Sequence, residues 1–230
     1  MFPLTPLELE ALSLSLRVAL WAVLVSLPLG LATAWLLARH EFVGKTLVDG
    51  LVHLPLVVPP VAVGYLLLVL LGRRGPLGGW LYDSFGITLI FTWQGAAVAS
   101  AVMAFPLMVR SIRLSLEAID DRLETAARTL GAPRVRVFAT ITLPLAAPGI
   151  LTGVVLAFAR SLGEFGATIT FVSNIAGETR TLPIALYTLI QSPGGEAGAA
   201  RLMAISLALA ILALLASEFL ARRISARLHG

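Results

Sequence analysis

The chain has 230 residues, of which 58% are hydrophobic and only 13% charged, against roughly 25% charged in soluble domains, so it belongs to the membrane class before any motif is read. A net charge of +4 does not point to nucleic acid, because the arginines sit between apolar runs rather than in one patch with interleaved aromatics. The absence of cysteine excludes disulfides, thiolate chemistry and Cys-type metal sites.

A helix needs about 20 apolar residues to cross the hydrocarbon core, and five stretches meet that requirement. The first, at about 12–38, follows Glu8 and Glu10 rather than a basic n-region and is too long for a signal-peptide h-region, so it is retained. The second, about 50–72, contains Pro55, Pro59 and Pro60. Each removes a backbone donor, so this span should kink, either to change shape beside a pore or as a static bend made for packing. The third, about 85–110, is uncharged as far as Val109. The fourth, about 144–172, is apolar but holds Arg160 and Glu164, and its Gly149-x3-Gly153 spacing permits close helix contact, within the chain or between copies. Thr179–Gly195 is amphipathic and too short to cross; it lies at the outer surface or dips partway in. The fifth span is about 199–221. The expectation is a single all-α integral membrane domain of about five helices, multi-pass, with its termini on opposite sides.

Orientation follows from the loops. With the N-terminus outside, Arg39, Lys45, the six arginines from Arg110 to Arg136, and Arg222, Arg223 and Arg227 are cytoplasmic, 11 basic residues in all. The outer side then holds Arg73, Arg74, Arg180 and Arg201, a total of 4. The positive-inside rule selects N-out, C-in.

No catalytic constellation is visible. "VGKTL" (Val43–Leu47) suggests a phosphate-binding loop, but the motif needs a glycine five residues before Gly44, where Arg39 stands, and no strand precedes it. The three histidines, His40, His53 and His229, fall in different segments. The chain is expected to be a non-enzyme that binds no metal or cofactor, so any energy must come from a partner.

The segment between the third and fourth spans, about 111–143, is the polar exception. Leu116, Ile119, Leu123, Ala126, Ala127 and Leu130 make a helical stripe. Gly131 terminates it, and Pro133 suits the first turn of a second short helix with Val135, Val137 and Phe138 on its apolar side. On pattern alone this is either an amphipathic loop resting on the membrane or a surface shaped for close approach by a partner.

The spacing Ala126-Ala127-x3-Gly131-x9-Ile141-x-Leu143-Pro144 resembles the EAA loop of permease subunits in ATP-binding-cassette (ABC) importers. In that family the loop forms coupling helices that dock into the ATPase, which implies coupling roles for Ala126, Ala127, Gly131, Phe138, Ile141, Leu143 and Pro144. The family's glutamate falls at Thr125, while a glutamate stands one residue earlier at Glu124. One residue rotates a helix by about 100°, so the resemblance leaves open which of Glu124 and Thr125 contacts the ATPase. Further blocks, "HLPLVVPPVAVGYLLLVLLGRRG", "FPLMVRSIRLSLE", "AFARSLGEFGATITFVSN" and "GETRTLPIALYTLIQSPGG", are similar to the permease subunits of bacterial molybdate importers, with the sulfate permeases as nearest relatives. The resemblance implies the type I ABC importer permease (MetI-like) core, a homodimer in the bacterial inner membrane, separate cytoplasmic ATPase subunits that use ATP, and a periplasmic oxyanion-binding protein. The C-terminal regulatory domain of some relatives is expected to be absent.

Charges inside a membrane segment are functional-site hypotheses by default. Arg160 and Glu164 are four apart and share a helix face, and Arg160 lies about 24 Å along the helix from Pro144. Arg160, or the backbone around Glu164, Phe165 and Gly166, lines the anion's entry; the alternative is a structural pair or a snorkelling arginine. Pro59 and Pro60 are the other candidates for the path. Asn174, Glu178 and Arg180 are candidates for contact with the binding protein, against a plain solvated loop. The leading expectation is the transmembrane subunit of an ATP-driven importer of molybdate, and of tungstate by the same route. Its rivals are a permease for sulfate or another oxyanion, and a stand-alone secondary transporter, which lacks an evident internal repeat.

Overall fold

The computed structural model describes residues 5–229, with side chains described through Ala216 and at Phe219. All regular elements among these residues are helical. The first, α1, runs over Pro6–Arg39 and starts in a capping box: the Thr5 hydroxyl accepts from the Glu8 N–H and the Glu8 carboxylate accepts from the Thr5 N–H. Its 34 residues span about 51 Å, well beyond the roughly 30 Å hydrocarbon core.

The expected second span, 50–72, is not one kinked helix. It is two, α2 (Lys45–Val57) and α3 (Pro60–Leu71), set at 115° to one another. Val58 precedes a proline and is extended (φ −73°, ψ 138°), and Pro59 has no N–H to continue the ladder. Adjacent prolines therefore end one helix and open the next.

The third span also differs from expectation. Residues 76–85 form a separate short helix, α4 (Pro76–Phe85), which ends at the left-handed Gly86. The span itself, α5 (Trp93–Glu117), begins where Thr92 accepts from the Gly95 N–H, and runs seven residues beyond the expected end at 110. The polar segment is consequently shorter than 111–143. It consists of α6 (Asp121–Thr129), a turn at Gly131 (φ +88°), and then α7 (Arg134–Val137). The last is no free-standing helix: α7 passes through a π-helical turn, Phe138–Thr142, into α8 (Leu143–Leu162), making one apolar helix of 29 residues from Arg134 to Leu162. After a break at 163–165 come α9 (Gly166–Val172), α10 (Leu182–Ile190) and α11 (Glu196–His229). The side chains of Arg222, Arg223 and Arg227 lie outside the described residues.

By length and composition, α1, α5, Arg134–Leu162 and Glu196–Ala216 can each cross a membrane, and the bent pair α2–α3 makes up to five. At the centre α5 is gripped by α1 on one side and α8 on the other. Small residues make that grip close. A side chain at Gly149 of α8 would collide with Ser115 of α5, and the Ser111 hydroxyl donates to the Gly149 carbonyl at 2.9 Å. Gly149 and Gly153 both face α5 of the same chain, so their spacing serves internal packing. One cluster around Met108, Ile112, Leu116, Leu37 and Ala157 fills the α6 end of the bundle, and another around Phe171, Ala99, Met103 and Val63 fills the far end.

Candidate functional site

At one end of the bundle α6 lies over the terminus of α1. Its expected apolar stripe is split by the break between α5 and α6. Leu116 and Ile119 are buried in the bundle, whereas Leu123, Ala126 and Leu130 point away from it. Leu130 is 89% exposed, and Val135, just past the Gly131 turn, is 80% exposed. With Thr125 and Ala126 they form an outward face of small and apolar groups on an element that is otherwise polar. Ala127, Phe138, Ile141 and Leu143 are half-buried behind it, and Pro144 is exposed.

Glu124 does not share that outward face. Its Oε1 accepts from Arg39 Nη2 at 3.1 Å and from the Thr142 hydroxyl at 2.8 Å. Arg39 also binds Asp121. The carboxylate thus joins three elements: the last turn of α1, the middle of α6, and the π-helical turn at the base of the 29-residue helix. Thr125 turns outward, its hydroxyl donating only to the Asp121 carbonyl at 2.9 Å. One residue of offset sends the carboxylate inward and the threonine out. Arg39 and Thr142 were not singled out by sequence; Arg39 reads there as an ordinary loop charge, and no local pattern links residues 39, 124 and 142. Beside the clamp a cavity of about 510 Å³ opens between Trp35, Arg39, Arg128 and Phe138. The "VGKTL" stretch is a left-handed turn at Gly44 (φ +90°) followed by the start of α2, with Lys45 paired to Glu41 at 2.6 Å.

The path candidates do come together. Gly166 opens α9 directly against Pro60, which opens α3; a side chain at Gly166 would come within 2.7 Å of the proline ring. The break in the fourth span therefore meets the bend after Pro59. Arg160 and Glu164 are paired at 2.7 Å, with the Glu164 side chain buried and that of Arg160 28% exposed. Glu164 has a second duty, since its other oxygen accepts from the Ala167 N–H at 2.8 Å and so satisfies the first turn of α9. The Phe165 ring rests on Tyr187 of α10, with centroids 5.0 Å apart. A charge pair, two interrupted helices and an aromatic pair occupy one locality.

The far-end candidates are held internally. The Asn174 amide donates to Thr188 and accepts from Arg180 Nε at 2.7 Å, and Glu178 accepts from the Trp93 N–H at 3.2 Å, tying the loop to the start of α5. What this loop turns outward is Ile175, Ala176 and Gly177.

Comparison with known proteins bears on both ends. A family profile described as "binding-protein-dependent transport system inner membrane component" matches residues 26–228. The chain is 68% identical over 219 residues to the molybdenum transport system permease protein ModB of Escherichia coli (strain K12), covering 95% of this chain and 96% of that one. It is 40% identical over 183 residues to the sulfate transport system permease protein CysT of the same organism, covering 78% and 66%. Among solved structures, a bacterial alginate ABC transporter in complex with an alginate pentasaccharide-bound periplasmic protein matches 96% of this chain and 80% of its own with a TM-score of 0.75 at 20% identity. The MetNI methionine ABC transporter in inward-facing conformations matches 94% of each chain with a TM-score of 0.67 at 18% identity. The fold is that of type I ABC importer permeases.

Proposed function

Since this chain belongs to the family of binding-protein-dependent transport system inner membrane components, we propose that two copies of it form the anion pathway of an ATP-driven molybdate importer. The chain is the molybdate permease subunit, a multi-pass protein of the inner membrane; the reading rests on the much higher identity to molybdenum than to sulfate permeases over nearly the whole length. The chain performs no hydrolysis of its own and needs no bound cofactor, with ATP consumed by separate cytoplasmic subunits. A periplasmic binding protein delivers the anion to the side opposite α6, and the N-terminus lies on that outer side.

The observation that carries the coupling role is the Glu124 clamp beneath an outward apolar face. The ATPase docks on Leu123, Thr125, Ala126, Leu130 and Val135, where desolvation of exposed apolar side chains supplies the attraction. Because Glu124 holds α6 to both Arg39 and Thr142, a push on α6 moves α1 and the 29-residue helix together. That helix ends at the break by Glu164 and Phe165, so the push arrives where the path candidates meet. Tight anion binding there is not required; Arg160, neutralised by Glu164, attracts a dianion only weakly, and selection falls to the binding protein.

The test is ATP hydrolysis by this chain reconstituted in liposomes with its ATPase and a binding protein loaded in turn with molybdate, tungstate or sulfate. Stimulation by molybdate and tungstate but not sulfate is expected. Stimulation mainly by sulfate keeps the machine and overturns the cargo, and absence of any bound ATPase overturns the coupling role.

A further inference from the structure

One cavity belongs to neither end of the coupling machinery. About 880 Å³ in volume, it lies between α1, α2 and α5, walled by Trp21 and Leu29, Pro55, and Trp93, Ala101 and Phe105. The only polar residues in its wall are Ser26 and Gln94, and the Ser26 hydroxyl is already donated to the Val23 carbonyl. Its volume falls in the range of ligand pockets, roughly 300–1,000 Å³, and its wall is too apolar to hold water.

Its position in the membrane is set by two arginines of α1. Arg17 and Arg39 are 22 residues apart, about 33 Å along the helix, close to the roughly 30 Å thickness of the hydrocarbon core. They therefore mark the two faces of the bilayer. The cavity starts just below Arg17, at Trp21 and Trp93, and extends along α5 from Trp93 to Phe105, about 18 Å. That depth is close to one leaflet, about half the core. Helix α2 supplies its floor with Val48, Val52 and Pro55, while the other face of α2 carries Asp49 and His53, with Asp49 paired to Arg113. At the mouth the exposed Arg17 guanidinium lies over the Trp93 ring, 3.7 Å from its centroid, and Trp21 packs on Trp93 with centroids 6.3 Å apart.

We propose that this cavity binds a phospholipid of the leaflet opposite α6, with its acyl chains between α1, α2 and α5 and its headgroup phosphate on Arg17. The cation–π contact with Trp93 holds the guanidinium at the mouth, where its N–H groups can donate to a phosphate oxygen. Indoles at that depth match the headgroup level, where tryptophan is enriched. A one-leaflet depth, an apolar wall and a cation at the mouth together describe an amphiphile with a phosphate head.

The test uses the chain with its ATPase in vesicles of phosphatidylethanolamine and phosphatidylglycerol. A trace of phosphatidylglycerol carries a photoactivatable diazirine in mid-chain, and adducts are mapped by peptide. Adducts are expected to concentrate on 97–102 and 25–29, above the density on the exposed lipid-facing side chains Leu207, Ile211 and Leu214 of α11. Arg17→Gln is expected to lower cavity adducts about tenfold, the loss of one charge-assisted hydrogen bond, while Arg17→Lys retains them. Arg17 is exposed, so both variants fold. Adduct density no higher than on α11, or unchanged by Arg17→Gln, overturns the proposal. So does ready disulfide formation between two copies bearing Ala101→Cys in this cysteine-free chain, which assigns the cavity to a second copy instead. Because the readout is labelling, its failure leaves the transport reading untouched.

Discussion

The guanidinium of Arg39, in the last turn of the first helix, lies 3.1 Å from the carboxylate of Glu124, in the middle of α6. The pair links residues 85 positions apart in sequence, and only 14% of the Arg39 side chain and 19% of the Glu124 side chain remain exposed. It turns the Glu124 carboxylate into the fold, while the neighbouring Thr125 side chain faces outward.

Removing the clamp should therefore cost more than altering the outward face by a single small group. Glu124→Ala leaves Arg39 with Asp121 alone and strips the Thr142 hydroxyl of its acceptor, a loss of roughly 1.5–3 kcal/mol for hydrogen bonds to a charged group. In reconstituted transporter, molybdate-stimulated ATP hydrolysis is expected to fall further in Glu124→Ala than in Thr125→Ala. The reverse order would show that Thr125 carries the coupling and the clamp does not.

At Gly131 the backbone is left-handed, φ +88°, and no atom lies within 4 Å of where a side chain would begin. Space is available, so only backbone strain, about 1–2 kcal/mol for an ordinary L residue, opposes substitution. Gly131→Asn is expected to dock the ATPase nearly normally, because asparagine tolerates this conformation. Gly131→Val should insert into the membrane yet fail to retain the ATPase in a pull-down. Normal retention by the valine variant would remove Gly131 from the coupling assignment.

Gly149 poses the opposite constraint, ordinary backbone with no room. Gly149→Leu forces α8 away from Ser115 and breaks the Ser111 hydrogen bond, and should lower the melting temperature of the purified protein sharply, as overpacking costs about 1–3 kcal/mol or more. Ser111→Ala removes only that hydrogen bond, about 1 kcal/mol. Equal melting temperatures for the two variants would contradict the close crossing of α5 and α8.

The Arg160–Glu164 pair should be asymmetric. Arg160→Gln leaves a buried carboxylate unpaired, for which roughly 3–5 kcal/mol is the usual cost. Glu164→Gln keeps an oxygen that can still accept from the Ala167 N–H and leaves the uncompensated charge on the more exposed partner. Thermal stability is expected to decline from parent to Glu164→Gln to Arg160→Gln. An inverted order would mean that Arg160 is held by something other than Glu164.

The helical class, the approximate spans and the polar segment near the middle were legible in the sequence, because hydropathy and helix-ending residues are local properties. Gly131 ends α6 as expected, and Arg160 and Glu164 meet because four residues on a helix are neighbours. Three features were not legible, each for its own reason. Pro55, Pro59 and Pro60 announce a disturbance in the second span, but proline number does not fix a 115° turn; that depends on where α3 finds α9 to pack against. The second segment of the polar loop looked separate because Pro133 suits a helix start, yet nothing after it ends the helix, and the π-helical turn carries it into the membrane. Asn174, Glu178 and Arg180 read as candidates for contact with a binding protein or as a plain solvated loop, whereas each is bound to a residue of its own fold, partners that only the folded chain brings near.

The fusion of α7, the π-helical turn and α8 into 29 residues makes a rod about 43 Å long. Such a rod converts angle into travel: a tilt of about 5° at its Arg134 end sweeps its Leu162 end through roughly 4 Å, more than the width of an oxygen atom. Mechanical advantage of this kind needs no relay of side chains. A small rotation imposed at one end is enlarged at the other by length alone.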